Sequence, residues 1–260
     1  EAFHVAKSGR PGPVVIDIPK DVQFATGTYV GPKNISHKTY RPKIKGDMEA
    51  IRKAVEMIGK AHRPVFYTGG GVINSGPAAS QLLRELIKTT SHPITSTLMG
   101  LGAFPAEHEQ FLGMLGMHGT LEANMAMHES DLIVCVGARF DDRITGRLDA
   151  FAPLAKKIHI DIDPSSINKI VKVDVPIVGD VAHVLEDMIR VWKQTQPEVD
   201  KKQIEKWWKR IETWRARKCL AYRGSDEIIK PQYAIQRLYE LTKKRDVYIT
   251  TEVGQHQMWA

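Results

Sequence analysis

The feature that most constrains the fold is a regular alternation of short apolar segments with amphipathic helical patterns. Between the apolar segments, hydrophobic residues recur at helical spacing, as in Ile51, Ala54, Val55 and Ile58. Buried strands that alternate with helices form a parallel sheet that is covered on both faces. We therefore predict an α/β fold, with a doubly wound parallel sheet and helices on both faces. The predicted strands of this sheet are 65–68, 94–97, 132–136, 157–161 and 175–178.

The segments on either side of this sheet look like fragments of two further α/β domains. One predicted strand, 14–18, lies near the start of the chain and another, 247–251, lies near its end, and neither has a predicted partner nearby. We therefore expect the chain to be the middle segment of a larger protein. The predicted limits are 1–24 for the end of a first domain, 25–45 for a linker, 46–196 for the central domain, 197–230 for a linker with an amphipathic basic helix, and 231–260 for the start of a third domain.

The net charge of +7 is concentrated in one segment. Residues 201–218 contain eight Lys or Arg residues against two Glu residues, together with an apolar stripe that includes Ile204, Trp207 and Trp214. Basic residues interleaved with aromatic ones fit either a nucleic acid or a membrane surface. We favour the alternative that the Trp residues pack this helix onto its own protein. Accordingly, we expect neither a nucleic-acid partner nor a membrane partner.

The Cys and His residues exclude two further classes of protein. The two cysteines, Cys135 and Cys219, are too few for a disulfide framework and favour a cytoplasmic location. The ten His residues and the cysteines show none of the spacings that are typical of zinc sites. We therefore expect no metal site built from this chain.

Small and polar residues follow several predicted strands, at the edge where a doubly wound sheet binds its ligands. Glycines there let the backbone approach a ligand, Arg139 suits a phosphate, and Asp161 or Asp180 suits hydroxyl or ring N–H groups. The glycine spacing is not the GxGxxG of dinucleotide-binding folds, so a tight turn explains the glycines equally well. The pattern predicts an adenine-dinucleotide site, with ordinary loop chemistry as the alternative. The residues of this edge are Gly69, Gly70, Gly71, Thr97, Leu98, Gly137, Ala138, Arg139, Asp161, Ile162, Gly179 and Asp180.

Two further segments are expected beside this edge. Arg143 follows Asp141 and Asp142, and its guanidinium suits a carboxylate, although a salt-bridged surface loop explains the triplet as well. In 114–119, Met residues are mixed with Gly, which fits either the wall of an apolar pocket or core filling. His118 in that segment is more often a structural hydrogen-bond partner than a catalyst.

Six separated motifs, in the same order along the chain, resemble those of the acetohydroxyacid synthase (acetolactate synthase) family, in its catalytic subunit. This likeness extends from one end of the sequence to the other. The motifs are SGRPGPV at 8–14, IDIPKDVQ at 16–23, GGGVI at 69–73, LGMLGMHG at 112–119, GARFDDR at 137–143 and GQHQMW at 254–259.

The resemblance implies an activity and a set of cofactors. Members of the family decarboxylate pyruvate on thiamine diphosphate and join the two-carbon unit to a second 2-ketoacid, pyruvate or 2-ketobutyrate. They use Mg²⁺ and FAD, and the flavin undergoes no net redox change. The implied partner is the same catalytic subunit, as a homodimer or homotetramer, and whether a small regulatory subunit also binds is left open. The alternatives are another FAD-bearing thiamine-diphosphate enzyme, of the pyruvate oxidase or glyoxylate carboligase type, and a stand-alone nucleotide-binding module that binds NAD.

The resemblance also assigns residues to sites. In the family's arrangement, 1–24 ends a pyrimidine-binding domain, 46–196 is the FAD-binding domain and 231–260 begins the diphosphate-binding domain. No catalytic residue is expected in this segment, because the activating Glu should lie upstream and the Mg²⁺ ligands downstream, so the segment alone should be inactive. The thiamine-diphosphate contacts are Gly254, Gln255, His256 and Gln257, and the substrate-channel residues are Lys20, Met117, Asp142 and Arg143. Beyond the sheet-edge residues named above, the implied FAD contacts are Arg10, Leu115, Gly116, Met117, His118, Asp141 and Arg143.

Overall fold

The computed structural model describes residues 1–31, 37 and 39–260. It divides into two compact units, Glu1–Trp214 and Arg215–Ala260. The predicted linker 25–45 includes residues 32–36 and 38, which lie outside the described residues.

The first unit contains a six-stranded sheet in which all neighbouring strands are parallel. Its order is β3-β2-β1-β4-β5-β6, so the chain reverses its direction of winding between β1 and β4. This order confirms the predicted doubly wound sheet. The strands are β1 Pro64–Thr68, β2 Ile94–Ser96, β3 Phe111–Met114, β4 Leu132–Val136, β5 Lys156–Asp161 and β6 Val175–Val178.

Helices cover both faces of the sheet, as the strand pattern predicts. Helices α3, α5 and α8 share one buried apolar cluster with the sheet, and α6 and α9 contribute to a second one. The second unit contains two of the helices, α10 and α11. The helices are α1 Ala2–Lys7, α2 Lys20–Phe24, α3 Met48–Lys60, α4 Gly70–Asn74, α5 Pro77–Thr90, α6 Leu121–Glu129, α7 Asp142–Thr145, α8 Val181–Thr195, α9 Lys201–Arg215, α10 Pro231–Thr242 and α11 Gln255–Trp259.

Helix α8 shows how local sequence produces this arrangement. Asp180 caps its first turn, because the carboxylate accepts a hydrogen bond from the Ala182 backbone N–H at 3.1 Å. The stripe that includes Val184, Leu185 and Met188 is fully buried against the sheet. Burial of each such side chain contributes roughly 1.5–3 kcal/mol, so packing against the sheet, more than helix propensity, keeps this segment helical.

Helix α9 packs onto its own protein, which confirms the interpretation favoured for the basic segment. Ile204, Trp207, Ile211 and Trp214 are buried, and the Trp207 indole N–H donates a hydrogen bond to the Pro64 carbonyl oxygen at 3.0 Å. The compact unit therefore continues to Trp214, beyond residue 196 where the sequence predicts the end of the central domain. The domain limits themselves stay predictions.

Two predicted strands are not formed, and one observed strand was not predicted. Residues 14–18 and 247–251 have no strand structure, and Val15 and Tyr248 are 92% and 96% exposed. A β-branched run makes a strand only where a neighbouring strand pairs with it, and the described residues supply no such neighbour. The missed strand β3 is a short edge strand interrupted by Gly113, whose φ is +84° and whose pairing with β2 is irregular.

Candidate functional site

The loops that leave the strands are fixed along the carboxyl edge of the sheet. The backbone N–H of Thr97 donates to the Thr68 carbonyl at 2.9 Å, and that of Gly137 donates to the Ile160 carbonyl at 2.8 Å. Gly69, Leu115 and Gly179 donate to neighbouring strand ends in the same way. The hydrogen-bond ladder thus continues past the strands, so the backbone of the predicted site residues is fixed where each loop leaves its strand.

The loops after β1 and β4 meet where the winding reverses. The Gly71 N–H donates to the Gly137 carbonyl at 2.9 Å. A Cβ on Gly69 would lie 2.5 Å from that carbonyl oxygen, and one on Gly71 would lie 2.6 Å from the Gly137 Cα. Close packing of the two loops therefore explains Gly69, Gly71 and Gly137 without a ligand. Gly70 differs, because a Cβ there would meet only Met99, at 3.3 Å.

Arg139 projects from the loop after β4 between two inward-facing residues, Ala138 and Phe140, both of which are buried. Its guanidinium lies 3.1 Å from the Asp141 carboxylate, and both side chains are about half exposed. Hydrogen bonds with Asp142 and from the Arg143 backbone N–H lower the pKa of Asp141, so this carboxyl group is ionised at neutral pH. An exposed pair of this kind is worth about 0–1 kcal/mol, so Arg139 can turn to a bound anion at small cost.

Met117 and Arg143 are brought together through their backbones. The Met117 N–H donates to the Arg143 carbonyl at 2.9 Å. Gly116 has a φ of +97°, and a Cβ on it would lie 2.7 Å from that carbonyl oxygen. The Asn124 side chain holds Gly116 by accepting from its N–H at 2.8 Å and donating to its carbonyl at 2.9 Å. Met117 is 65% exposed, and the Arg143 guanidinium is exposed at 3.7 Å from Asp142. This arrangement places three of the four predicted channel residues on one rim.

Among the described residues, the remaining channel residue makes no contact with the rim, and two neighbours of the rim differ in exposure. Lys20 lies on α2 with its Nζ 5.9 Å from the Phe24 ring centroid, and no contact among the described residues joins it to Met117 or Arg143. Leu115 is buried, whereas His118 is exposed.

Residues at the end of β5 form a second charged group. The Arg10 guanidinium lies 3.4 Å from the Asp163 carboxylate, and the Asp163 backbone N–H donates to Asp161 at 2.8 Å. Asp161 is only 7% exposed, and burial raises its pKa. The structure therefore brings Arg10, from the first segment of the chain, to the strand end that carries the predicted contacts Asp161 and Ile162.

Two predicted contacts cap helical turns. The Asp180 carboxylate accepts from the backbone N–H groups at the start of α8 and from the Ser75 hydroxyl at 2.8 Å. The Thr97 hydroxyl accepts from the Gly100 N–H at 3.2 Å and caps a 3₁₀ turn, Leu98–Gly100. Beside that cap, Leu98 and Met99 are 41% and 74% exposed, and they offer an apolar surface next to Gly70.

In the second unit, the predicted thiamine-diphosphate contacts lie at the start of α11. Gly254 is the residue before the helix, and its carbonyl accepts from the Gln257 N–H at 3.1 Å. The four residues 254–257 thus form one turn, and His256 lies close to Gly254.

Sequence reasoning missed several residues that shape the site. Asn124 and Ser75 fix loops through their side chains, and Tyr67, Cys135 and His159 form a buried polar row beneath the loop after β4. In the sequence, the signal that could have revealed this row is a polar side chain within each of the three strands. Asn124 and Ser75 gave no signal, because Asn124 bonds to the backbone of a loop eight residues earlier and Ser75 bonds to Asp180, which is remote in sequence.

Two clefts lie at the opposite end of the sheet. One of about 990 Å³ borders the last turn of α3 and residues 195–202, and one of about 780 Å³ borders the last turns of α5 and α8. Helices α3 and α5 lead into the amino ends of β1 and β2, so neither cleft belongs to the carboxyl edge. Among residues 1–31, 37 and 39–260, no group of three or more His, Cys, Asp or Glu side chains is placed to hold a metal ion. No helix in the described part of the chain is long and apolar enough to cross a membrane.

Residues 51–188 match the sequence model of the central domain of thiamine pyrophosphate enzymes, and they span every strand of the sheet and more than half of the chain. The chain belongs to the thiamine pyrophosphate enzymes. This membership confirms the superfamily implied by the six motifs. The matched segment contains both loops that meet at the reversal point, and also Arg139 and Arg143.

The chain is similar over its whole length to curated acetolactate synthases. It is 49% identical to the acetolactate synthase isozyme 3 large subunit of Escherichia coli (strain K12), of which it covers 45%. It is 46% identical to the acetolactate synthase large subunits of Haemophilus influenzae and Corynebacterium glutamicum, of which it covers 45% and 41%. The chain therefore spans less than half the length of these relatives.

Proposed function

We propose that the intact protein is the catalytic subunit of an acetolactate synthase. It would decarboxylate pyruvate and join the two-carbon unit to a second 2-ketoacid, either pyruvate or 2-ketobutyrate. The observation that carries this proposal is the 42–49% identity, over the full chain, to proteins named acetolactate synthase large subunit or acetolactate synthase. The same likeness favours this activity over the pyruvate oxidase and glyoxylate carboligase types. Thiamine diphosphate held with Mg²⁺ would supply the chemistry of decarboxylation, with Gly254–Gln257 contributing to its site.

The proposal includes FAD at the carboxyl edge of the sheet. Arg10 at the end of β5 and Arg139 at the end of β4 offer guanidinium groups to a diphosphate, and Arg139 is held only by an exposed pair. Asp161 offers carboxylate oxygens suited to hydroxyl or N–H groups, and the exposed Leu98 and Met99 offer apolar contact. Charge, polarity and exposed apolar surface along one edge fit a dinucleotide.

The rim formed by Met117, Asp142 and Arg143 is proposed to face the second substrate. A 2-ketoacid carries a carboxylate, and a guanidinium fork can hold a carboxylate through two parallel hydrogen bonds. Arg143 suits this role because its side chain is exposed and its contact with Asp142 is long, at 3.7 Å. Lys20 is also proposed to line the channel, and this proposal is supported only by the resemblance of the motif at 16–23.

The assembly and location of the intact protein are proposed from the same likeness. We expect a homodimer or homotetramer of catalytic subunits in the cytoplasm, with a small regulatory subunit as a further partner. Analytical ultracentrifugation of the intact protein, with and without that subunit, would measure both associations.

Two measurements on the purified intact protein test the proposal. A visible spectrum with flavin bands supports FAD, whereas bound NAD gives no visible absorption. Incubation with pyruvate, thiamine diphosphate and Mg²⁺ should yield acetolactate and CO₂ without uptake of oxygen, and omission of thiamine diphosphate is the control. Oxygen uptake with pyruvate, or carboligation of glyoxylate instead, would refute the proposed activity.

A further inference from the structure

Three polar side chains form a buried row across the centre of the sheet. Tyr67, Cys135 and His159 are register partners on β1, β4 and β5, and none is more than 1% exposed. Because partners in register point to the same face, the row lies on one side of the sheet, that of the second apolar cluster. None of the three is a predicted cofactor contact, so their polarity needs another explanation.

The loop after β4, residues 137–140, folds back onto this row. The Ala138 carbonyl accepts a hydrogen bond from His159 Nε2 at 2.7 Å and one from Cys135 Sγ at 3.2 Å. The Phe140 ring lies 5.5 Å from the Tyr67 ring and 5.2 Å from the His159 ring, between centroids. Phe140 has φ +49°, a conformation that non-glycine residues rarely adopt, so packing from beneath imposes the shape of this loop.

The shape of the loop determines the direction of Arg139. With Ala138 and Phe140 turned inward, the residue between them points to solvent, and 54% of the Arg139 side chain is exposed. Arg139 has no hydrogen bond to the sheet among the described contacts, and its guanidinium contacts only Asp141, which directly follows the loop. The position of Arg139 at the carboxyl edge therefore depends on the hydrogen bonds that the Ala138 carbonyl accepts, which act as the anchor of the loop.

His159 can serve as that anchor in one tautomer only. A carbonyl oxygen only accepts hydrogen bonds, so the bond at 2.7 Å requires the proton on Nε2. Nδ1 is buried without a hydrogen-bond partner in the part of the chain that the structure describes. Burial lowers the pKa of His159 to about 4, so the ring is neutral at neutral pH and its single ring proton lies on Nε2.

We propose that His159 is a positioning residue of the cofactor site. Its Nε2–H bond to the Ala138 carbonyl holds loop 137–140 in the conformation that presents Arg139 to a ligand bearing a diphosphate. The inference rests on the proposed FAD site, and it adds to that site a buried residue that does not touch the ligand.

The test compares FAD affinity among variants of the intact protein, after the flavin is removed and titrated back. H159F keeps a ring of similar size and removes the donor, and we expect its Kd for FAD to rise about tenfold, as for one lost hydrogen bond. H159Q restores an amide donor close to the position of Nε2 and should recover most of the affinity. H92F is the matched control, because His92 is also a fully buried histidine but lies at the amino end of β2. Its FAD affinity should equal that of the wild type.

A double-mutant cycle separates positioning from general weakening of the domain. If His159 acts by placing Arg139, then H159F should have little further effect on FAD affinity in a protein that already carries R139A. Additive effects of the two substitutions would overturn the proposal, and so would wild-type affinity in H159F. If the wild-type protein itself binds no FAD, the proposed function fails and this inference fails with it.

A measurement on the wild type covers the case in which H159F does not fold. Nitrogen-15 NMR of labelled histidine distinguishes the two neutral tautomers of a ring. We expect His159 as the Nε2–H tautomer near pH 7. The Nδ1–H tautomer, or a charged ring at that pH, would refute the anchor.

Discussion

The buried residue His92 predicts a specific dependence of stability on pH. His92 is fully buried at the amino end of β2, beside Phe66, and neither ring nitrogen has a hydrogen-bond partner among the described residues. Burial of the charged form without a partner lowers the pKa of His92 from 6.5 to about 3. Between these two values the unfolded chain binds a proton that the folded chain does not. Stability contributed by the neutral ring is therefore complete above pH 6.5 and is lost as the pH falls toward 3.

The magnitude at pH 5 follows from these values. The unfolded histidine, with a pKa of 6.5, is mostly charged at pH 5, whereas the folded one is neutral. The linkage relation then gives a loss of about 2 kcal/mol between pH 7.5 and pH 5 from His92 alone. Because pH 5 lies well above the folded pKa, this magnitude is set by the unfolded value. His159, with a folded pKa of about 4, adds a loss of similar size.

The assay is urea unfolding of the chain, followed by the fluorescence of the buried Trp207 and Trp214. In His92→Phe, the loss of unfolding free energy between pH 7.5 and pH 5 should be about 2 kcal/mol smaller than in the wild type. His118→Gln, at an exposed histidine, is the control and should leave the loss unchanged. Equal losses in wild type and His92→Phe would show that His92 titrates normally in the folded state, and the reasoning would be refuted.

Three further predictions concern the carboxyl edge. Arg139→Ala in the intact protein should weaken FAD binding about ten- to a hundredfold, the cost of one charge-assisted hydrogen bond, and unchanged affinity in a flavin titration would remove Arg139 from the site. Arg143→Lys should slow the ligation step more than decarboxylation and should reduce any preference between 2-ketobutyrate and pyruvate, because Lys lacks the planar fork. Product ratios from mixed ketoacids check this, and wild-type ratios together with wild-type ligation rates would contradict it. Gly71→Ala should lower the free energy of unfolding by about 1–3 kcal/mol, because the new Cβ would lie 2.6 Å from the Gly137 Cα. Urea unfolding measures this loss. Gly12→Ala is the control, because the space around Gly12 is open.

The sequence predicted the parts of the fold that burial on two faces dictates. Strands such as Leu132–Val136 are apolar throughout because helices cover both sides, and the observed strand agrees with the predicted one. Burial could not predict β3, which is a half-buried edge strand with a glycine inside it. Nor could it exclude a strand at 14–18, because the pattern of a strand does not reveal whether a partner exists.

The candidate site was predictable as a location but not as a set of contacts. Parallel strands bring their carboxyl ends to one edge, so residues such as Arg139 and Asp161 were expected there from the strand positions. The contacts depend on distances between loops that are remote in sequence. Asp180 caps α8 and accepts from Ser75, and Gly69 packs on Gly137, and neither relation has a local sequence signal.

The packing of helix α9 against the sheet determines where a fragment of this domain should end. The Trp207 indole is bonded to Pro64, the first residue of the central strand β1, so a helix that follows the sheet in sequence closes the sheet's second face. A fragment that ends at residue 196, where the sequence suggests a boundary, would lack helix α9. The apolar side chains that α9 covers would then be exposed to solvent, which favours aggregation. Chimeras, split reporters and expression fragments built from this domain should therefore keep the chain intact to Trp214.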